Sequence, residues 1–147
     1  MVDVRRVRRL LQRVEQDLSY LRQRARLSRS EIIGDVDRLS AIKYVFVTAI
    51  EGCLSVAQHL CASEGWGPPE SNAAAMRLLG REGVLTGPLA ESMGRAVGFR
   101  NVLVHGYVDV DDEAVVDSLE RLSDLEAFVR AVAKWASVDE GGSEARV

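Results

Sequence analysis

An arginine, an asparagine and a histidine lie close together in the run FRNVLVHGY, which spans residues 99–107. Histidine carries protons near neutral pH, and arginine is a fixed bidentate donor to phosphate oxygens. Asparagine can orient either of them. Arg100, Asn101 and His105 are therefore suited to phosphodiester cleavage. The histidine would remove the proton of a ribose 2'-OH or protonate the leaving oxygen, while the arginine stabilises the charged transition state.

The same residues have a plainer interpretation. Helix C-termini often carry a histidine, and surface arginines are common, so a spacing of five residues does not by itself indicate catalysis. The reaction also needs a second histidine, because one histidine cannot act as both acid and base in the same step. A single chain offers only one suitable histidine, His105. A symmetric dimer that brings two copies of His105 together would meet that need.

The secondary structure of this run has two possible interpretations. Val102, Val104 and Val108 alternate as in a strand. The apolar residues upstream instead recur at helical steps, which favours a helix over 88–105 with His105 in its last turn. Gly106 then occupies the usual stop position, where we expect a positive φ. The apolar positions are Leu85, Leu89, Met93, Ala96, Phe99 and Leu103.

One stripe of this helix combines small and polar residues. Gly94, Gly98, Asn101 and His105 are spaced by four, three and four residues. Each glycine costs about 1 kcal/mol relative to alanine in a helix, and this cost is tolerable where another backbone or a ligand comes close. The stripe predicts that a second helix crosses this one at the two glycines. Asn101 and His105 would then lie at the edge of that contact. Arg100, about 100° further round, would flank it.

The rest of the chain is predicted to be helical. The first segment carries an unbroken helical stripe, and a second, densely apolar segment runs from Ser30 or Asp35 to about Ala62. The loop EGWGPPESN precedes a short third helix capped by Ser71 or Asn72. The stripe of the first segment consists of Val4, Val7, Leu11, Val14, Leu18, Leu21 and Ala25.

Thr86 and Pro88 begin the fourth helix, and Asp111 caps a fifth that carries apolar residues as far as Val132. We therefore expect an all-α fold, an antiparallel bundle of about five helices. Residues 1–137 would form its single domain, and residues 138–147 a polar, disordered tail.

Composition indicates a soluble cytoplasmic protein. No apolar run approaches the ~20 residues of a membrane span, and the basic N-terminus lacks the apolar core of a secretory signal. Cys53 and Cys61 lie two helical turns apart, too far for a disulfide, and are expected to be reduced. With only two histidines, His59 and His105, no metal site or cofactor is expected.

Charge is unevenly distributed. Residues 1–30 contain nine arginines and three acids, whereas residues 109–126 contain eight acids and one arginine. The basic segment could form a surface for an anionic partner, or the two segments could neutralise each other within the chain or across a dimer. His59 is expected to be a packed or surface residue. Whether Glu51 and Tyr44 approach the candidate site stays open.

The string GFRNVLVHGY resembles the Arg-x4-His-x-Tyr motif of HepT-like toxins in the HEPN superfamily, and the resemblance covers roughly residues 5–135. It implies the toxin of a type VII, HepT/MntA-like toxin–antitoxin system, a metal-independent endoribonuclease that acts as a homodimer with its site at the interface. His105 would be the acid or base, Arg100 the phosphate-stabilising residue and Asn101 a supporting residue.

The resemblance also implies a partner, a minimal nucleotidyltransferase antitoxin of the MntA type that uses ATP. It would inactivate the toxin by transferring AMP to Tyr107, adding bulk and negative charge two residues from the catalytic histidine. The alternative is a non-catalytic HEPN module that binds nucleotide and a nucleotidyltransferase.

Overall fold

A computed structural model describes the backbone of residues 2–106 and 110–144. These residues form helices and no strand. The helices are α1 (Val4–Arg24), α2 (Arg29–Ile33), α3 (Val36–Ser63), α4 (Asn72–Arg81), α5 (Gly87–His105), α6 (Asp112–Leu119) and α7 (Leu122–Glu144). The all-α prediction is confirmed.

Helix α3 is the centre of the bundle and packs against α1, α4, α5 and α7. It begins after Asp35, whose side chain accepts a hydrogen bond from the Arg38 N–H, so the later of the two predicted starts is correct. By length and composition alone α3 could cross a membrane, contrary to the expectation that no run is long enough. Here its apolar face forms the core, which includes Ile42, Phe46, Ile50 and Leu60.

Helices α1 and α3 are antiparallel and very close. The Thr48 hydroxyl donates to Asp17 at 2.7 Å, and at the other end the Asp3 N–H donates to His59 Nε2 at 3.2 Å. Between them, a Cβ built on Gly52 would lie 2.6 Å from Val14 Cγ2. Gly52 therefore permits the close approach of the two helices.

The apolar stripe of α1 is buried at Val7, Leu11, Val14, Leu18 and Leu21, as predicted. At the two ends of that stripe, Val4 is half-buried and Ala25 is exposed. Both cysteines are free and buried within α3, which agrees with the prediction of reduced thiols.

The predicted fifth helix is two helices. The chain turns between α6 and α7, where the N–H groups of Glu120 and Arg121 donate to the carbonyls of Asp117 and Ser118. Each of these hydrogen bonds joins residues three apart instead of four, and so they interrupt the α-helical hydrogen-bond pattern. The sequence has no Gly or Pro here to indicate the break, and buried Leu119 and Leu122 on either side sustain the helical pattern.

Helix α7 continues to Glu144, beyond Val138, where the disordered tail is predicted to begin. Once a helix is formed, extension adds one hydrogen bond per residue fixed, so polar residues can continue it. The limits of the domain, residues 1–137, stay a prediction.

Candidate active site

The N-terminus and packing of α5 fix how it presents its polar residues. The Thr86 side chain accepts from the Leu89 N–H, and a proline lies in the first turn, as predicted. Phe99 packs edge-on against Phe46 of α3, with ring centroids 5.5 Å apart. This contact sets the rotation of α5 immediately before Arg100.

Arg100 is held by a carboxylate of α3. Its Nη2 and Nε donate to Glu51 Oε1 at 2.7 and 3.2 Å. Its Nη1 donates to Asn101 Oδ1 at 2.9 Å. The Arg100 side chain is only 20% exposed, whereas that of Glu51 is 45% exposed. The guanidinium is therefore fixed in direction while its partners stay accessible to solvent.

His105 is the last residue of α5 and is exposed. Within the part of the chain that the structure describes, its side chain makes no hydrogen bond. An imidazole without an internal partner can exchange a proton with a bound substrate.

The predicted stripe faces outward. Gly98, Asn101 and His105 are exposed and Gly94 is half-buried. A Cβ built on either glycine would meet nothing within 4 Å. No described helix of this chain therefore crosses α5 at the glycines, and the predicted helix crossing could arise only between chains. Beside the stripe, Val102 is 51% exposed.

The prediction of a positive φ at Gly106 is wrong. Gly106 has φ −104° and caps α5 by donating its N–H to the Val102 carbonyl at 2.7 Å. A Cβ at Gly106 would lie 2.8 Å from that same oxygen. Glycine is thus favoured at this helix end by close approach. Tyr107 lies outside the described residues.

Glu51 is the site residue that sequence analysis left undecided. It is the single formally charged residue between Lys43 and Glu64. An isolated carboxylate in an apolar helix is the signal that could have identified it, since such groups usually have a partner. Tyr44, the other undecided residue, is 67% exposed and borders a groove with Leu103 and Val104 of α5.

His59 is a packed residue, as expected. It is half-buried and accepts the hydrogen bond from the Asp3 N–H at the start of α1. Burial, and secondarily the positive charge of Arg6, lowers the pKa of His59. Its contact is structural, at the end of α3 away from Glu51.

The two oppositely charged segments neutralise each other only in part. Arg29 pairs with three acids of α6 and the turn after it, and Arg22 pairs with Glu126 of α7. The hydrogen bonds and charges of its acidic partners raise the pKa of Arg29. Its partners are Glu113, Asp117 and Glu120. Among the described residues no three His, Cys, Asp or Glu side chains are placed to hold a metal ion.

Solved structures of HEPN toxins share this fold. A tri-AMPylated HEPN toxin of Shewanella oneidensis, solved in complex with an MNT antitoxin, superposes with a TM-score of 0.81 at 22% identity, covering 91% of this chain and 99% of that chain. The cytosolic protein YutE of Bacillus subtilis superposes with a TM-score of 0.80 at 18% identity, covering 94% and 93%.

The sequence identifies the family. It matches the ribonuclease HepT-like family over residues 7–132, and the chain belongs to that family. The mRNA nuclease HepT of Shewanella oneidensis is 30% identical over 83 residues, which are 56% of this chain and 62% of that relative. The chain thus spans less than two thirds of the length of this curated relative.

Proposed function

We propose that this chain is the toxin of a HepT/MntA-like toxin–antitoxin pair, a cytoplasmic, metal-independent endoribonuclease. The observation that carries the proposal is the placement of Arg100, which Glu51 and Asn101 hold beside an exposed helix face. That face ends in exposed His105, whose side chain has no hydrogen-bond partner among residues 2–106 and 110–144. Membership of the ribonuclease HepT-like family supports RNA as substrate. The free thiols of Cys53 and Cys61 agree with a reducing compartment.

In the proposed reaction the ribose 2'-oxygen attacks the adjacent phosphorus and the bond to the 5'-oxygen breaks. One imidazole accepts the 2'-OH proton and another gives a proton to the leaving 5'-oxygen. The guanidinium of Arg100 donates to the phosphoryl oxygens, where negative charge accumulates. Glu51 and Asn101 keep that guanidinium in place, so little reorganisation is needed as the charge develops.

The two imidazoles come from two copies of the chain. Each copy supplies one His105, and a twofold axis near the stripe brings the second copy of α5 to the first. The open space above Gly94 and Gly98 allows backbones to approach closely there. The site is therefore shared between the protomers of a homodimer.

The partner is an MntA-type nucleotidyltransferase that uses ATP to place AMP on Tyr107. The likeness to a tri-AMPylated toxin bound to its antitoxin supports this part of the proposal at the level of fold. AMP two residues beyond His105 would bring a phosphate to the mouth of the site and compete with RNA for Arg100.

A cleavage assay tests the proposal. Purified protein in excess EDTA should cut single-stranded RNA. His105→Ala should lower the rate by about 10²–10⁴-fold, and Arg100→Ala should lower it by a similar factor. The control is Arg81→Ala, which removes an exposed arginine of α4. Unchanged rates in both site variants would overturn the assignment.

One observation favours the alternative, a non-catalytic module that binds nucleotide and a nucleotidyltransferase. Three nitrogens of Arg100 already donate to Glu51 or Asn101, so a substrate phosphate must compete with them. Calorimetric binding of a nucleotide, lost in Arg100→Ala, together with no RNA turnover under any condition would select this alternative.

A further inference from the structure

Helix α1 carries an exposed arginine stripe, which consists of Arg6, Arg9 and Arg13. At 3.6 residues per turn these three positions fall within about 60° of one another and span about 10 Å along the axis. With Asp3 and Leu10 they border a broad surface groove. The stripe is therefore a continuous positive edge along the first half of α1.

No carboxylate of the described residues forms an ion pair with the arginine stripe. The acids of α6 and α7 pair instead with Arg22 and Arg29, further along the chain. The ion pairs of Arg22 and Arg29 thus leave Arg6, Arg9 and Arg13 without a carboxylate partner among the described residues. Three adjacent guanidinium groups remain available to an external anion, and their mutual repulsion makes such binding favourable.

The arginine stripe and the candidate active site lie on two sides of α3 at the same level. Gly52 of α3 touches Val14, the neighbour of Arg13. The preceding residue, Glu51, holds Arg100 of α5. Packed helix axes lie about 8–10 Å apart, and α3 packs against both α1, which carries Arg13, and α5, which carries Arg100. About one turn before Arg6, the Asp3 N–H donates to His59, so the stripe extends from the level of Gly52 towards the C-terminal end of α3.

We propose that the arginine stripe binds the phosphates of an RNA strand that crosses the outer ridge of α3 and has its scissile bond at Arg100 and His105. This inference rests on the proposed ribonuclease function and adds a substrate-binding surface on α1. Arginine suits phosphate because its planar fork donates to two oxygens at once. Arg100 and the stripe would then contact successive segments of one strand.

Other anionic partners fit this surface less well. Helices that bind membranes insert large apolar residues beside their basic ones, and protein interfaces usually have an aromatic or apolar centre. The exposed large hydrophobic residues of the described chain lie on other helices, and the exposed neighbours of Arg13 include Gln12 and Gln16. A polar, arginine-rich face is typical of contact with a nucleic-acid backbone.

The test is binding of a single-stranded 2'-O-methyl RNA, which cannot be cleaved through its 2'-oxygen, measured by fluorescence anisotropy over a range of salt concentrations. The variant carries Arg6→Gln, Arg9→Gln and Arg13→Gln; glutamine preserves helix propensity. The charge-matched control carries Arg26→Gln, Arg77→Gln and Arg81→Gln, which removes three exposed arginines elsewhere.

The stripe variant should bind at least 10-fold more weakly than the control. The slope of log affinity against log salt should be shallower by about 2, since each phosphate contact on a single strand contributes about 0.7. Circular dichroism melts of both variants establish that they are folded. Equal affinities and equal slopes in the stripe variant and the control would overturn the inference.

Two further binding measurements test whether the arginine stripe binds a different partner. If the stripe variant loses affinity for phosphatidylserine vesicles or for the nucleotidyltransferase but keeps its RNA affinity, the inference is overturned in favour of that partner. Failure of the proposed ribonuclease function can be distinguished from failure of this inference. If the ribonuclease proposal is wrong, the wild-type protein cuts no RNA, whereas the binding assay requires no cleavage.

Discussion

Glu51 and Arg100 are the pair on which the chemistry of the site depends most closely. Their ion pair is partly exposed, and such pairs contribute about 0.2–1 kcal/mol to stability. Its larger effect is to direct the guanidinium towards a bound phosphate, and small misplacements of a catalytic group are costly. The pair should therefore affect the rate of cleavage far more than folding.

Glu51→Gln is the first prediction. It keeps the side-chain shape but removes the charge that holds Arg100, so kcat for RNA cleavage should fall by about 10-fold or more, and the melting temperature should change by only a few degrees. Glu70→Gln, at an exposed carboxylate outside the site, is the matched control. Equal kcat values for the two variants would remove Glu51 from the site.

His59 gives a prediction about pH. Burial lowers its pKa below the usual value, so the unfolded chain binds more protons in the window below about pH 6.5 and stability falls as the pH falls through it. Protonation of Nε2 also removes the acceptor for the Asp3 N–H. Denaturant melts at several pH values should show less acid destabilisation in His59→Gln than in wild type. Equal acid destabilisation in His59→Gln and in wild type would contradict this prediction.

At the scale of elements, α5 must both hold the site and meet a second copy of itself. A methyl group at Gly98 finds open space within the chain, whereas one at Gly80 would lie 2.7 Å from the Ala90 Cβ at the crossing of α4 and α5. The same substitution at the two glycines should therefore have opposite effects on folding.

Gly98→Ala should raise the free energy of unfolding by up to about 1 kcal/mol through helix propensity and weaken the dimer. Gly80→Ala should lower the free energy of unfolding by about 1–2 kcal/mol through overpacking. Denaturant melts and sedimentation measure the two effects. A Gly98→Ala protein that dimerises as tightly as wild type would contradict the proposed contact at the stripe.

Helical phasing predicted α1, α4 and α5 well because their apolar faces follow the 3.6-residue period without interruption. It failed at the turn between α6 and α7, where buried Leu119 and Leu122 maintain the period across a break in hydrogen bonding. It also could not pair Glu51 with Arg100, because that contact depends on how α3 and α5 rotate against each other. Nor could it predict the conformation of Gly106, because that conformation depends on the close approach of the Val102 carbonyl.

At the scale of the whole molecule, charge is sorted between two regions. Acids of α6 and α7 pair with Arg22 at the end of α1 and with Arg29 of α2, whereas the arginine stripe forms no ion pair with a carboxylate of the described residues. Neutralisation within the chain therefore accounts for part of the basic segment, and a surface for an anionic partner on the first half of α1 stays a proposal. A net charge of −3 gives no indication of such a surface.

The proposed partner acts at this scale too. Incubation with an MntA-type nucleotidyltransferase and ATP should add AMP to the chain, and Tyr107→Phe should prevent the addition; intact-mass spectrometry measures both. The modified protein should lose RNA cleavage because the added phosphate competes for Arg100. Tyr44→Phe controls for general loss of an accessible tyrosine. Adducts that persist in Tyr107→Phe would place the modification elsewhere.

The most direct test of the central claim is the chemistry of the cut ends. RNA treated with wild-type protein in EDTA should yield fragments with 2',3'-cyclic phosphate and 5'-hydroxyl ends, identified by mass spectrometry, because the 2'-oxygen is the proposed nucleophile. His105→Ala should yield almost none. Fragments with 5'-phosphate ends, or the same products at the same rate from His105→Ala, would contradict the account.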